Sequence, residues 1–507
     1  MQPPVRWLGA LALVVGSAAA AAVAANPATT ACWLKGWSQA ARCGVLQRPL
    51  DPARPQGVQI DLHYAVIPAL ARNKAPDAVF FFAGGPGQSA VALAGPLAAA
   101  HRRLQQRRDL VFVDQRGTGR SAPLACPDDD ERAVLQPLAA RADEARRLQQ
   151  LRACRQALQA LPHGDLRFYT TEIAVADVDA VRQALGIARI NAIGASYGSR
   201  AVLSYQRQFP QALRRAVLDG VAPPDMRLPE AGGADNQAAW DSLLQACAAD
   251  AACTRAHPDL PRRLPALLAA LPQPVQLPHP VTGRLETLTL TRDALLAMVR
   301  APLYSPALAA ALPAALDAAA AGRWAPLAAL GQSLGGLGRG FATGQHFSVV
   351  CSEDLGAGAP PAPPLPPLPA LPAQAPAAAP ALPASAVFAG GGSALYQAAC
   401  DGWPRGAVSP AFYTLPPAVA PTWLLSGALD PVTPPRHGQR VAQALGPLAR
   451  HVVVPNTGHG TLALPCLRDA VARFITTDDD AAALATPADC AAGLPRPPAF
   501  VPPGGAP

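Results

Sequence analysis

A chain of 507 residues, half of them hydrophobic, is long enough to bury a large core and to carry a second domain. Its formal charge of +8 is spread over dispersed arginines that rarely interleave with aromatics, which excludes nucleic acid as an expected partner. Ten cysteines without a Cys-x-x-Cys pair, and no His-Glu-x-x-His cluster, argue against a metal centre. Their even number points instead to bridges formed in an oxidising compartment.

In chain order, Arg6, the apolar stretch Leu8 to Val23 and the small residues Ala22-Val23-Ala24-Ala25 read as an export signal over residues 1–25. An uncleaved anchor is the alternative. The run is short and alanine-rich and would span a bilayer poorly, so a secreted or periplasmic chain without stable membrane insertion is expected. Residues 26–224 hold the first block of a core. Val79 to Phe82 reads as a strand running into the glycine-rich loop Ala83 to Gln88, Asp109 to Asp114 as the next strand, and Thr171 to Leu185 as a helix. Ile190 to Ile193 is a further strand, followed by Gly194-Ala195-Ser196-Tyr197-Gly198, a helix from Arg200 to Gln208, and a strand from Arg214 to Gly220. This alternation predicts an α/β fold, a mostly parallel sheet with helices on both faces.

From about Asp225 to His346 the chain turns to alanine- and leucine-rich amphipathic pieces without strong strands, the pattern of an inserted helical cap. Residues 347–400 return to the core through a Pro/Ala-rich segment, 355–385, that reads as an extended, loosely ordered excursion. The core resumes over residues 401–507. Pro421 to Gly427 reads as a buried strand ending in a loop that carries Asp430, Arg436 to Leu445 as a helix, His451 to Pro455 as a strand and Thr461 to Ile475 as the closing helix. Candidate bridges are Cys247–Cys253, Cys351–Cys400 and Cys466–Cys490, with buried free thiols as the alternative for each.

Alone, G-x-S-x-G is a weak pattern in a chain with 41 glycines. Its context carries it: strand before, helix after, and an acid and a histidine at later strand ends in the order Ser196, Asp430, His459. Such an elbow leaves the serine hydroxyl exposed above the sheet, where a histidine can take its proton and a carboxylate can orient that histidine. Gly85 and Tyr197 are the candidate backbone donors to an oxyanion. The bland readings are an ordinary turn serine and a helix-capping His459. His437 is a rival base, expected on the connecting helix as a surface residue. Asp114 and Arg116 read as structural, and Asp177 and Asp179 as a solvated or salt-bridged helix face.

The loop Ala83-Gly84-Gly85-Pro86-Gly87-Gln88-Ser89, the segment Asp114 to Ser121, the elbow, Ser426 to Asp430 and Gly458-His459-Gly460 together resemble the proline iminopeptidase and tripeptidyl aminopeptidase group of α/β-hydrolase serine peptidases, in its secreted form with a TAP-like C-terminal region. The likeness runs from about Cys32 to Cys490. Ala83 stands where many proline iminopeptidases have histidine, so the resemblance implies an aminopeptidase without fixing proline as the residue released. It implies peptide substrates with a free amino terminus and no cofactor. It also points to Glu353 and Asp354, with the cap's Glu230 behind them, as carboxylates for the substrate ammonium. A carboxylesterase with the same triad, or a silent binding protein on this fold, are the alternatives. Residue preference and oligomeric state are not legible.

Overall fold

Ala78-Val-Phe-Phe-Phe82 and Leu110-Val-Phe-Val113 are apolar on both faces, as suits strands covered on both sides of a sheet. In a computed structural model of the chain, which describes residues 29–129, 135–332, 341–361, 363, 386–388 and 393–501, these are β4 (Ala78–Phe82) and β5 (Leu110–Val113), buried throughout. With β1 (Thr30–Cys32), β2 (Ala41–Pro49), β3 (Gln59–Ile67), β6 (Ile190–Ala195), β7 (Leu213–Asp219), β10 (Thr422–Gly427) and β11 (Ala449–Val454) they form a nine-stranded sheet in the order β1-β2-β3-β5-β4-β6-β7-β10-β11. Strands β1 to β3 pair antiparallel, β3 meets β5 antiparallel, and every pairing from β5 to β11 is parallel. The parallel strands therefore end on one edge, where the loops that carry chemistry collect.

Successive strand residues point to opposite faces, and two apolar layers result. Phe80, Phe82, Ala192 and Leu218 pack with Val178, Val202 and Tyr205 of the helices Thr171–Ala184 and Tyr197–Gln208. Phe81, Phe112, Ile193 and Trp423 pack with Ala94 and Ala98 on one side and with Val471 and Phe474 of the helix Pro465–Thr476 on the other. Trp423 stacks on Phe474 with ring centroids 4.9 Å apart.

Most of a further hydrophobic cluster, centred on Trp240, Leu264, Leu295, Leu316 and Leu327, is drawn from the residues expected to form the cap. That region departs from the all-helical expectation. A hairpin, β8 (Gln273–Pro278) and β9 (Leu285–Leu290), buries Val275, Leu277, Leu288 and Leu290 on one face. Three prolines in Leu271–Pro278 hid that period-two alternation. The expected export signal and most of segment 355–385 lie outside the described residues. Among the described residues no helix is long and apolar enough to cross a membrane. All ten cysteines are paired: Cys247–Cys253, Cys351–Cys400 and Cys466–Cys490, with Cys32–Cys43 and Cys126–Cys154 beside them.

The loop after β5 is braced by charges buried beneath it. Arg116, 1% exposed, donates to both carboxylate oxygens of Asp177 and to the carbonyls of Leu50 and Phe168. Asp179 accepts from Arg182, Gln183 and Tyr205. The helix face that sequence left between solvated and salt-bridged is thus salt-bridged and buried. Asp177→Ala leaves a buried guanidinium short of its partner and is expected to destabilise the fold by about 3–5 kcal/mol, against less than about 1 kcal/mol for Asp259→Ala, whose pair with Arg263 is exposed. Urea unfolding midpoints of the two variants measure the difference.

Candidate active site

β6 ends at Ala195 and a helix begins at Tyr197, so the whole reversal falls on Ser196. Its backbone sits at φ 55° and ψ −124°, a region that costs an L-residue about 1–3 kcal/mol. The flanking glycines are required by close approach. A Cβ on Gly194 would lie 2.3 Å from the Gly198 oxygen, and one on Gly198 would lie 2.1 Å from the Phe82 oxygen at the end of β4. The Ser196 N–H donates to the Asp219 carbonyl at 2.8 Å, which keeps the turn fastened to β7. Tyr197 opens the helix, so its N–H has no helical carbonyl behind it. The loop after β4 lies over this turn: a Cβ on Gly84 would be 3.4 Å from Cβ of Ser196.

Asp430 lies past the end of β10 and is 2% exposed. It accepts the N–H groups of Val432 and Thr433 at 2.9 Å, the Thr433 hydroxyl at 2.7 Å, and Nδ1 of His459 at 2.7 Å. Burial alone would raise its pKa, but the His459 charge and these hydrogen bonds outweigh it and hold the carboxyl below its ordinary value. For His459, burial opposes the charge, and Asp430 with a smaller contribution from Asp219 turns the balance, so the imidazole sits above its ordinary value. The His459 N–H donates to the Tyr304 carbonyl of the cap at 3.0 Å, and the Tyr304 ring meets the imidazole edge-on at 5.4 Å. On its other side the imidazole lies against Gly220, whose Cβ would be 3.1 Å from Cε1. Three strand ends thus bring Ser196, Asp430 and His459 to one rim. With Nδ1 held by Asp430, Nε2 is the nitrogen left to handle a proton.

Two contributors were not foreseen. Thr433 donates to Asp430 and lies 3.1 Å from His459 Nδ1; its only trace in sequence is a hydroxyl three residues after the acid. Asp219 accepts the N–H and hydroxyl of Thr461 and the N–H of Leu462, which ties the end of β7 to the chain just past His459. Nothing in the local sequence distinguishes Asp219 from an ordinary strand-terminal acid.

The expected ammonium site is not presented to a ligand. Glu353 and Asp354 end a helical segment, Val350–Asp354, and each is 1% exposed. Glu353 accepts the Thr171 N–H at 2.6 Å and its hydroxyl at 2.9 Å, while Arg200 donates to Asp354 at 3.0 Å and lies 3.6 Å from Glu353. Thr171 in turn bonds the Tyr197 hydroxyl at 2.6 Å, so the acidic pair lies beneath the elbow helix. Burial pushes Glu353 up to about 7 and Asp354 up to about 6, with Arg200 pulling both back. The partner that turns this pair inward, Arg200, lies some 150 residues earlier in the chain. Glu230 is the accessible acid of the three, 3.4 Å from Arg227. His437, expected at the surface, is instead buried and bonds Asp235 at 2.8 Å. Among the described residues no group of three His, Cys, Asp or Glu side chains is placed to hold a metal ion.

A family model of the alpha/beta hydrolase fold matches residues 77–260, and one of the TAP-like proteins matches residues 386–482. The chain is 32% identical over 197 residues to a tripeptidyl aminopeptidase of Streptomyces lividans, covering 36% of each. It is 29% identical over 236 residues to the serine protease Hip1 of Mycobacterium tuberculosis, covering 42% of each. It is 30% identical over 143 residues to a proline iminopeptidase of Neisseria meningitidis, covering 28% of this chain and 32% of that one. It therefore spans well under half the length of these relatives. The sheet order and both matches agree, and the chain has the alpha/beta hydrolase fold with a TAP-like C-terminal part.

Proposed function

We propose that this chain is a serine exopeptidase that cuts a peptide bond near a free amino terminus, with Ser196 as nucleophile, His459 as base and acid, and Asp430 as the group that orients the imidazole. The observation that carries the reading is the strained turn at Ser196, set at the same rim as an imidazole already bonded to a buried carboxylate. Strain of this kind persists where surrounding structure over-determines it, and it clusters at reactive groups.

In the proposed cycle, His459 Nε2 takes the Ser196 proton as Oγ bonds the substrate carbonyl carbon. The charge that develops on the carbonyl oxygen falls to the N–H groups of Gly85 and Tyr197, preorganised donors that together lower the barrier by several kcal/mol (about 3 for one). The imidazolium then gives its proton to the leaving amine as the C–N bond breaks, leaving an acyl-enzyme. Water then bonds the acyl carbon as it loses a proton to His459, and the imidazolium returns that proton to Ser196 Oγ as the ester bond breaks and the acid leaves. Both halves use one base and one set of donors, so the cycle calls for no cofactor. Five disulfides fit the reading of the chain as exported.

The relatives' names support peptide substrates with a free amine. The burial of Glu353 and Asp354 favours a second reading, a carboxylesterase using the same three residues, because neither carboxylate is available to an incoming ammonium. Paired free and amino-acetylated aminoacyl and peptidyl arylamides separate the two. The exopeptidase reading expects hydrolysis of the free series, collapse on acetylation, and a loss of at least about 10³-fold in kcat/KM in Ser196→Ala. Equal rates for both series would remove the free-amine requirement, sink the exopeptidase reading and favour the esterase.

The pH profile carries a second expectation. The imidazole must be neutral to act as base and its pKa is raised above 6.5, so kcat/KM should be full at alkaline pH and fall as pH drops through a midpoint above 6.5. Asp430→Asn removes the largest raising influence. The midpoint should move down while kcat drops by about 10⁴; an unmoved midpoint would contradict the assignment.

A further inference from the structure

The loop assigned above to oxyanion binding is built largely from glycine, closed by the Gln88 N–H donating to the Gly84 carbonyl at 3.3 Å. Gly84, Gly85 and Gly87 contribute no side chains, and Gly85 takes φ 112°. Support comes from the chain returning from the cap. The Ala342 N–H donates to the Gly87 carbonyl at 2.8 Å, Phe341 forms an antiparallel bridge with Gln88, and a Cβ on Gly85 would lie 3.3 Å from the Phe341 ring. One turn further on, His346 Nδ1 lies 3.2 Å from the Pro86 carbonyl oxygen and Nε2 lies 2.9 Å from the Tyr396 hydroxyl. The imidazole is packed among Phe341, Phe347 and Tyr396, at centroid distances of 5.3, 5.4 and 5.7 Å.

These contacts leave one tautomer. A carbonyl oxygen only accepts, so Nδ1 carries the proton; Nε2 is then the acceptor, and Tyr396 donates to it. Burial lowers the ring's pKa to about 4, which keeps it neutral where His459 works. Pro86 has a ring-fixed φ, so a hold on its carbonyl restrains where the Gly85–Pro86 peptide lies and, through it, the backbone of Gly85 that carries the N–H one peptide earlier.

We propose that His346 is a positioning residue of the oxyanion loop: its Nδ1–H holds the Pro86 carbonyl, Tyr396 fixes the tautomer that lets it do so, and the Gly85 N–H is thereby aimed at the developing oxyanion. The proposal rests on Ser196 being the nucleophile. Loss of a whole oxyanion donor costs about 10²–10³ in kcat, and a misplacement near 1 Å costs about 10². A donor left in place but badly aimed should therefore lose about 10- to 100-fold in kcat while KM, set by ground-state contacts, changes by less than about threefold.

The test is steady-state kinetics on the full-length protein, with rates expressed per active site titrated by a fluorophosphonate, for His346→Asn, His346→Gln, His346→Leu and Tyr396→Phe. An Asn amide nitrogen occupies the place of Nδ1, so His346→Asn should keep kcat within about threefold, whereas Gln and Leu, which put no donor there, should lose about 10- to 100-fold. Tyr396→Phe should fall between. Affinity for a peptidyl boronic acid, which forms a tetrahedral adduct on the serine, should fall in step with kcat, while product inhibition stays constant. Unchanged kcat per site in His346→Gln and His346→Leu, or an Asn variant as slow as the Gln variant, overturns the proposal. If His346→Leu does not fold, the Asn and Gln pair still decides. Wild-type turnover and labelling in Ser196→Ala would instead sink the functional reading beneath it, whatever the His346 variants do.

Discussion

Ser196 occupies a backbone conformation that an L-residue avoids, and the surrounding fold is arranged so that it has nowhere else to go. The helix that follows starts so close to β4 that its first turn nearly touches the Phe82 carbonyl, and only glycine at 198 permits the approach. The strand that precedes it is paired on both sides, with β4 and with β7, and Ser196 itself extends the second pairing by one bond to Asp219. A strand clamped at both edges and a helix pressed on its end leave the turn to absorb the mismatch. The consequence is chemical: the hydroxyl is lifted clear of the sheet, and the first free N–H of the helix is set beside it.

The same edge shows a recurring device. Asp114, Asp219 and Asp430 stand at or just past the ends of β5, β7 and β10, and each folds its own or a neighbouring loop by accepting backbone N–H groups. Asp114 takes those of Val91 and Arg120 and the Ser89 hydroxyl. Asp219 takes those of Thr461 and Leu462, and Asp430 those of Val432 and Thr433. A carboxylate has about four lone-pair sites, so one group can order a turn and still have capacity left. Only Asp430 turns that capacity toward an imidazole. Its role is thus a specialisation of a structural habit that the fold repeats along its rim.

That habit explains what sequence could and could not reveal. The parallel core was legible because buried strands read as unbroken apolar runs: Val79 to Phe82 and Ile190 to Ile193 fall within strands, the run from Pro421 to Gly427 becomes a strand from Thr422 to Gly427, and the helix read from Thr171 to Leu185 runs from Thr171 to Ala184. Ser196, Asp430 and His459 were legible because an elbow motif and a fixed order of strand ends leave few candidates. Asp219 was not, because its partners lie more than 240 residues away. Glu353 and Asp354 were misplaced for the same reason. Two adjacent acids look solvent-facing until Arg200 and Thr171 are seen to meet them in three dimensions. His437 was read as a surface residue because Asp235, its buried partner, belongs to the cap. In each case the missing information is a long-range pairing of charges, which no local period encodes.

These pairings also change what the inserted region is for. A cap that only covered the site would touch the core through apolar packing and leave the reacting groups to the sheet. Here the chain at or beside each of the three proposed site residues has a tie that runs out of the core. The His459 N–H is held by the Tyr304 carbonyl. The start of the helix just past Asp430 is fastened when Arg436 and His437 both donate to Asp235, which is 0% exposed. The glycine loop over Ser196 is held by the chain from Phe341 to His346. A buried carboxylate cannot lose two donors without a large desolvation penalty, so Asp235 is a strong tie between its own helix and the one that follows Asp430. A substitution in this region that disturbs Tyr304 or the segment from Phe341 to His346 would therefore also be felt at the His459 imidazole or at the glycine loop over Ser196.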